Sequence, residues 1–435
     1  MAPQTTPAPR LFYGWIVLAA CALIILVSSG TTMVFGVFIN PMVSDLGWSH
    51  STLSMSYAIS AIVSGLGILA VGSLIHTHSI RVLLFWGSLL HGVGLYLTST
   101  VTTVGAFYFW YGVVASLGRS VFMLTSVTLI TRWFEKRRAT AMGLTRALGG
   151  LASFIFAPLL TWVILRWDWQ TAFMAQSLVM TGVVVLMCLV LRDYPHEMGL
   201  KPYGAEAPAS PPTQATTARA DDSVGRLWQR VLRMQGFWTL AFINFFCCVC
   251  HSVPLVHVVG FAQSAGLSAY TAAWVLGVMS LSSTVGRVAW GLFADRHGAR
   301  LTLIVTLFMQ GSLVLWLVNT QDPAIFFLYA VVWGFGFGGV NTQYGVVARD
   351  LYGARHFGPG YAGQMCFSMV GMAVGGFLGG YLYDLSHSYV ASWLVSFGAG
   401  LISSLLAMDL LLQGDRTRTV QATSVTETVR PAQTP

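Results

Sequence analysis

Residues 286–300 read Gly-Arg-Val-Ala-Trp-Gly-Leu-Phe-Ala-Asp-Arg-His-Gly-Ala-Arg, the end of an apolar run followed by a short charged turn. Asp295 can accept hydrogen bonds from N–H groups at a neighbouring helix start, where the helix dipole favours an anion. Arg296 and Arg300 can anchor the turn at lipid headgroups. We therefore predict that this turn joins two helices at a membrane surface.

The sequence around this turn has the composition of a membrane protein. Of 435 residues, 55% are hydrophobic and only 9% are charged, whereas a soluble domain carries roughly 25% charged residues. Apolar runs of about 20 residues can cross a hydrocarbon core of roughly 30 Å. We place twelve such runs near residues 12–37, 51–75, 82–100, 104–131, 139–164, 170–191, 236–262, 268–294, 301–319, 323–348, 358–383 and 389–413.

The hydrophobicity is interrupted between the sixth and seventh runs. Residues 205–223 are rich in Pro, Ala, Thr and Ser, a composition that does not build a packed core. We read this stretch as part of a flexible cytoplasmic linker. The predicted domains are an N-terminal six-helix bundle at 1–192, the linker at 193–235, a C-terminal six-helix bundle at 236–413 and a disordered cytoplasmic tail at 414–435.

The two halves carry a faint internal repeat. Three positions recur at one constant offset, namely Gly67, Gly72 and Arg81 in the first half and Gly286, Gly291 and Arg300 in the second. Repeats of this kind are typical of carriers that bind substrate near the bilayer midplane, between related halves. The prediction is an all-α membrane protein with twelve transmembrane helices in two pseudo-symmetric six-helix bundles.

The positive charges predict the orientation of the chain. If the N-terminus is cytoplasmic, the external connections carry only Arg166, and the Lys and Arg residues outside the spans otherwise lie at cytoplasmic ends, loops and tails. Cytoplasmic loops are generally enriched in Lys and Arg. We expect a multi-pass protein of the cell (inner) membrane with both termini cytoplasmic. Because the basic residues are scattered over short loops, no nucleic-acid binding is expected.

The turn at residues 291–300 resembles the cytoplasmic loop signature of the major facilitator superfamily, G-x-x-x-D-R-x-G-x-R, at every defined position. The first-half copy is degraded, with His76, Thr77 and Ser79 in place of Asp, Arg and Gly. The resemblance implies the major facilitator fold. We expect the turn with Asp295, Arg296 and Arg300 to act as a gate at the cytoplasmic face.

A narrower resemblance is to monocarboxylate and oxalate/formate porters, carried by residues 13–15, 133–143 and 195–204. In that family an arginine of the eighth span pairs with the substrate carboxylate, and Arg287 occupies the matching position. The animal members have an aspartate one helical turn earlier and a lysine in the first span. Here Ser283 replaces the aspartate and the first span has no lysine, so the animal-type route of proton coupling is not implied.

Three arginines fall within spans, namely Arg119, Arg146 and Arg287. A charged side chain at the centre of a span costs about 2.5 to 3.5 kcal/mol on insertion scales. Among the acidic residues only Asp409 falls within a span, so an anionic ligand is the expected partner, and a guanidinium fits a carboxylate or phosphate. The alternatives are snorkelling of Arg146 and binding of helix carbonyls by Arg119.

Other polar residues of the central spans can complete the site. Asn341 falls about mid-membrane, on the helix that corresponds to the Arg119 helix across the repeat, although interhelical hydrogen bonding would also explain it. His251 and His257 are candidates for proton coupling, since an unperturbed histidine has a pKa of about 6.5. A structural role in the core is the alternative for both histidines. No metal site or cofactor is expected, because Cys247-x-x-Cys250-His251 lies inside an apolar span.

These observations predict a secondary active transporter, not an enzyme, that moves a small organic anion by alternating access. The expected cargo is a monocarboxylate, accompanied by a coupled proton or an exchanged anion. A drug or cation exporter of the same superfamily is one alternative, although cationic substrates call for buried carboxylates. A receptor that binds an anion without transporting it is another, although such proteins usually carry a soluble signalling domain.

Overall fold

A computed structural model describes residues 12–75, 77–205, 224–318 and 320–428. Within these ranges twelve helices are long and apolar enough to cross a membrane, which confirms the predicted number of spans. The middle of the predicted linker, residues 206–223, lies outside the described residues. The helices α1 to α12 run Tyr13–Leu46, His50–Leu74, Ile80–Thr98, Val104–Trp133, Thr140–Arg166, Trp169–Val190, Gln235–Ser264, Ala269–His297, Ala299–Leu317, Pro323–Gly353, His356–Ser386 and Val390–Leu410.

The even-numbered helices begin in a uniform way. The first N–H groups of a helix lack partners within the helix, and an oxygen-bearing side chain just before the helix satisfies one of them. All these helices begin at the same side of the membrane protein, the side away from the linker. We call this side the opposite face, and we call the side that carries the linker the linker face. The capping side chains are Ser49, Thr103, Asp168, Ser268, Asp322 and Ser388, before α2, α4, α6, α8, α10 and α12 respectively.

Several of the helices are irregular. α1 is interrupted between Tyr13–Thr32 and Gly36–Leu46, and α4 contains π-helical turns over Tyr108–Ala115. Gly353 adopts a φ of 66° where α10 passes into α11, a conformation that glycine tolerates because it has no Cβ. The helical backbone of α12 continues past Leu410 to Thr428, into the segment for which the sequence predicts a disordered tail.

The start of the predicted linker packs on the first bundle. The Asp193 carboxylate accepts hydrogen bonds from Ile80 N at 3.0 Å and Arg81 N at 3.3 Å, at the start of α3. The Arg81 guanidinium lies 3.9 Å from Asp193 and 4.0 Å from Glu197. Tyr203 N donates to Trp133 O at 2.9 Å, at the end of α4. Residues 193–205 are therefore ordered along the linker face, and the predicted domain boundaries stay predictions.

The two bundles meet closely at the opposite face. Asn40 Nδ2, near the end of α1, donates to Gln263 Oε1 of α7 at 2.7 Å. Gly36 of α1 packs so close to the Val256 carbonyl of α7 that a Cβ there would collide with the carbonyl oxygen. A Cβ on Gly277 of α8 would lie 3.3 Å from Phe154 Cα of α5. These contacts close the space between the bundles on this side.

An aspartate of α11 completes this closure. The Asp384 carboxylate accepts from Ser51 N at 2.7 Å and His50 N at 3.1 Å, and His50 Nδ1 lies 3.4 Å from Asp384 Oδ1. His50 and Ser51 stand in the first turn of α2, where the helix dipole favours an anion. A residue of the second bundle thus caps a helix of the first, and we call this contact the Asp384 latch.

Asp384→Ala is expected to open the opposite face. Hydrogen bonds to a charged group contribute about 1.5 to 3 kcal/mol, so their loss should shift the equilibrium between closed and open forms by roughly tenfold or more. The measurement is the rate at which a membrane-impermeant maleimide labels Ser54→Cys, because Ser54 is fully buried behind the latch. Mass spectrometry of the labelled peptide separates this site from the native thiols.

Asp322→Ala is the matched control for this experiment. Asp322 also caps a helix at the opposite face, but its capping bond stays within one bundle, because the carboxylate accepts from Ala324 N of its own helix at 2.8 Å. Labelling should stay at the wild-type rate in this variant. An equal rise in both variants, or none in Asp384→Ala, would contradict the latch.

Candidate substrate-binding site

A cavity of about 550 Å³ lies between the two bundles. The first bundle contributes residues of α1, α4 and α5 to its wall, and the second contributes residues of α7, α8, α10 and α11. The lining reaches Ile130, Met142 and Tyr361, close to the linker-face ends of α4, α5 and α11. Because the bundles close together at the opposite face, this conformation is open toward the linker face.

Arg287 bridges the two bundles at the cavity wall. Its half-buried guanidinium donates from Nη1 to the backbone carbonyl of Arg146, on α5, at 2.7 Å. Gly150, one turn further along α5, makes room for it, since a Cβ there would lie 2.8 Å from Nη1. A guanidinium has five N–H donors. The bond to Arg146 therefore leaves donors with which Arg287 can hold an anion.

The cavity is positively charged and has no acid in its described lining. Arg146 and Arg287 both line it, and Arg146 is exposed. The ion pairs found within the described part of the chain join His50 to Asp384 and Arg81 to Asp193 and Glu197, all away from this cavity. The arrangement suits a ligand that brings its own negative charge.

Arg119 has a different environment. Its guanidinium donates to Thr32 Oγ1 of α1 at 2.5 Å, and to Ser64 Oγ at 2.6 Å and Ser60 Oγ at 3.1 Å, both of α2. It is not among the residues that line the cavity. The structure thus brings together two of the three predicted arginines and places the third within the first bundle. Contact of Arg119 with substrate stays a prediction.

The predicted polar helpers are also spread out. The Asn341 side chain lies outside what the structure describes. His251 is buried, with Nε2 3.2 Å from Met372 Sδ and its ring 5.0 Å from that of Phe337. His257 is buried nearer the opposite face, with Nε2 2.9 Å from the Gly376 carbonyl oxygen. Neither histidine lines the cavity directly.

The residues of the predicted gate lie at the protein surface in this conformation. Asp295 and Arg296 are exposed and Arg300 is half-buried, at the linker-face end of α8 and the start of α9. A gating contact across the linker face requires the bundles to approach there, and in this conformation they enclose an open cavity instead. The gating role of the turn therefore stays a prediction.

An aromatic wall of the cavity was not predicted from the sequence. Trp333 and Phe337 of α10 stack with ring centroids 5.2 Å apart and an interplanar angle of 14°, and both line the cavity. They lie four residues apart, the spacing that places side chains on one helix face. The sequence therefore carries a signal for this wall, because Trp333 directly precedes the glycine-rich segment 334–339 and Phe337 lies within it.

Comparisons with known proteins agree with this architecture. The profile of the Major Facilitator Superfamily matches residues 21–286 and 251–434. "Monocarboxylate transporter 13" of Rattus norvegicus is 27% identical over 416 residues, covering 93% of this chain and 90% of the relative. "Monocarboxylate transporter 12-B" of Danio rerio is 24% identical over 426 residues, covering 91% of this chain and 86% of the relative.

Solved structures show the same fold at low identity. The nucleoside transporter NupG superposes with a TM-score of 0.70 at 12% identity, covering 92% of this chain and 99% of that one. A bacterial homologue of the human lysosomal transporter Spinster, solved inward-facing and unoccupied, superposes with a TM-score of 0.68 at 12% identity, covering 93% of this chain and 95% of that one. Together with the profile match, these likenesses show that the chain belongs to the Major Facilitator Superfamily, as a membrane transporter related to the monocarboxylate transporters.

Proposed function

We propose that the protein is a secondary active transporter that moves a small organic anion, a monocarboxylate, across the membrane by alternating access. The observation that carries the proposal is the Arg287 guanidinium, which has donors to spare at a cavity whose described lining includes no acid. The names of the relatives, which include "Monocarboxylate transporter 13", support a monocarboxylate as the cargo. No chemical conversion of the cargo is part of the proposal.

The position of Arg287 links binding to movement of the bundles. Its bond to the Arg146 carbonyl crosses from α8 to α5, so a carboxylate that binds the guanidinium sits at the junction between the two halves. A bidentate pair between guanidinium and carboxylate fixes the anion in orientation as well as position. Binding there favours approach of the bundles around the anion, which would close the linker face and release the opposite face.

In this proposal, two acidic groups hold the alternate states. The Asp384 latch closes the opposite face, and we propose that the Asp295 turn closes the linker face when the bundles approach there. The positive-inside rule assigns the linker face to the cytoplasm, because Arg81, Arg192 and their neighbours lie on that side. The conformation described here is then the inward-open one, in a cell (inner) membrane.

The second cargo of the proposal is a coupled proton or an exchanged anion. His251 is the candidate proton carrier, because its ring lies 5.0 Å from that of Phe337 on the cavity wall. His257 is the less favoured candidate, because it lies farther from the cavity, beside Gly376.

Counterflow in proteoliposomes tests the proposal. Vesicles loaded with unlabelled pyruvate or benzoate are expected to accumulate the labelled form of the same acid transiently, because exchange through one carrier needs no other energy source. The uncharged amides, pyruvamide and benzamide, should neither exchange nor compete, since they cannot pair with Arg287.

Each other outcome points to another function. Binding of the acids without counterflow would indicate a receptor. Exchange of organic cations in place of the acids would indicate a drug or cation exporter. Repeating the exchange with and without an imposed pH gradient separates proton coupling from anion exchange, since only the former responds to the gradient.

A further inference from the structure

Ser283 has an unusual environment on α8. Three neighbouring hydroxyls on this helix have partners: Ser280 donates to the Gly150 carbonyl, Ser282 Oγ to Val331 O at 2.6 Å, and Thr284 Oγ1 to Ser280 O at 3.2 Å. Ser283 is 1% exposed, and its hydroxyl has no hydrogen-bond partner in the described structure. Burial of a hydroxyl without a partner is unfavourable, so such a group calls for an explanation.

The residue that carries the unpaired hydroxyl lies at the cavity wall. Ser283 lines it together with Arg287, and the two residues are four positions apart on one helix. Side chains at this spacing are neighbours, with Cβ atoms about 5 to 6 Å apart. The two side chains therefore leave α8 one turn apart on the same face of the helix.

The backbone around the pair is fixed by close packing from α10. A Cβ on Gly338 would collide with the Ser283 carbonyl oxygen and would lie 2.8 Å from Arg287 N. Only a glycine allows the two helices to approach this closely. The contact holds the α8 backbone at both residues, so their side chains leave it at defined positions beside the cavity.

We infer that Ser283 is a second ligand of the transported carboxylate, an inference that rests on the proposed function. A carboxylate has two oxygens with about four lone-pair sites, more than one guanidinium fills. With both oxygens paired to Arg287, a remaining lone pair on one of them can accept from Ser283 Oγ–H. The two residues then form a two-point clamp that recognises the carboxylate group and gives the buried hydroxyl its partner.

A purely structural role for Ser283 gives a different expectation. A small residue is suited to the tight contact between α8 and α10, and alanine would serve there equally well. In that case Ser283→Ala removes an unpaired buried hydroxyl, so thermal stability should be unchanged or higher and affinity for anions should not change. If Ser283 is part of the clamp, Ser283→Ala should bind anions more weakly, while its thermal stability is again unchanged or higher.

The test compares Ser283→Ala, Ser283→Thr and Ser282→Ala as full-length proteins. For pyruvate and benzoate we expect Ser283→Ala to raise the half-saturating concentration of counterflow roughly tenfold or more. The maximal rate of counterflow should stay within about twofold of the wild-type rate. Ser283→Thr keeps the hydroxyl and should retain most of the affinity. Ser282→Ala is the matched control, because Ser282 is bonded to α10 and does not line the cavity; its half-saturation should equal that of wild type.

A binding measurement makes the outcomes distinguishable. Thermal stabilisation of the purified proteins by the same two acids reports affinity without requiring transport. Equal affinity of wild type and Ser283→Ala in both assays would overturn the clamp and leave the proposed function standing. Absence of both binding and counterflow in the wild type would overturn the proposed function, and the clamp with it.

Discussion

Replacing Arg287 with alanine is expected to reduce counterflow of pyruvate or benzoate about a hundredfold or more while the protein stays folded. Truncating one partner of a buried, hydrogen-bonded charge pair typically costs about 2 to 5 kcal/mol, and each 1.4 kcal/mol is tenfold in affinity. Counterflow in proteoliposomes measures the effect, and the melting temperature of the purified protein checks the fold.

Arg287→Lys refines this prediction. Lysine keeps the positive charge but loses the planar fork, so we expect transport between that of wild type and Arg287→Ala. Arg166→Ala is the control, because Arg166 is an exposed arginine at the opposite face, at the end of α5. Its transport should match wild type. Transport above half of the wild-type rate in Arg287→Ala would reject Arg287 as the carboxylate ligand.

Gly36→Leu is expected to abolish transport by preventing closure of the opposite face. At Gly36 even a Cβ would collide with the backbone carbonyl of Val256 in the other bundle, and a backbone group cannot turn away as a flexible side chain can. The leucine should act as a wedge between α1 and α7. We expect counterflow to fall to background and labelling of Ser54→Cys by impermeant maleimide to rise more than tenfold.

Gly105→Leu is the control for the wedge. Gly105 lies at the start of α4 on the same face, and a Cβ there meets nothing within 4 Å. Transport and labelling should both stay near wild type. Normal transport in Gly36→Leu would show that the contact between α1 and α7 opens and closes without the close approach seen here.

The sequence was sufficient for the spans and for one part of the site. Apolar run length determines where the chain can cross a membrane, and the capping residues Ser49, Ser268 and Asp322 mark helix starts by local chemistry alone. Arg287, which lines the cavity, could be singled out because its own surroundings, including the following turn, carry the resemblance; its contact with substrate stays a prediction. The hydrogen bond from Arg287 to the Arg146 carbonyl could not be predicted, because it depends on which face of α5 meets α8.

Non-local contacts explain what the sequence could not predict. The depth of Arg119 in its span can be counted from the helix end, but its hydroxyl partners Thr32 and Ser64 lie on two other helices. Asp384 gives no signal in the sequence because a charge at a helix end is inexpensive, and its partner is the start of α2. The polar segment after α6 resembles a flexible linker, yet Asp193 caps α3.

In the proposed carrier, the positive charge of the site also makes transport sensitive to membrane voltage. Arg146 and Arg287 both line the cavity, and a bound monocarboxylate lowers the net charge of the site by one. The electrical work on one elementary charge is about 2.3 kcal/mol per 100 mV for complete crossing. An inside-negative potential would therefore favour the anion-free form with its site facing the cytoplasm more strongly than it favours the loaded form, which carries one positive charge fewer. In the absence of a coupled proton, voltage alone would drive monocarboxylate efflux.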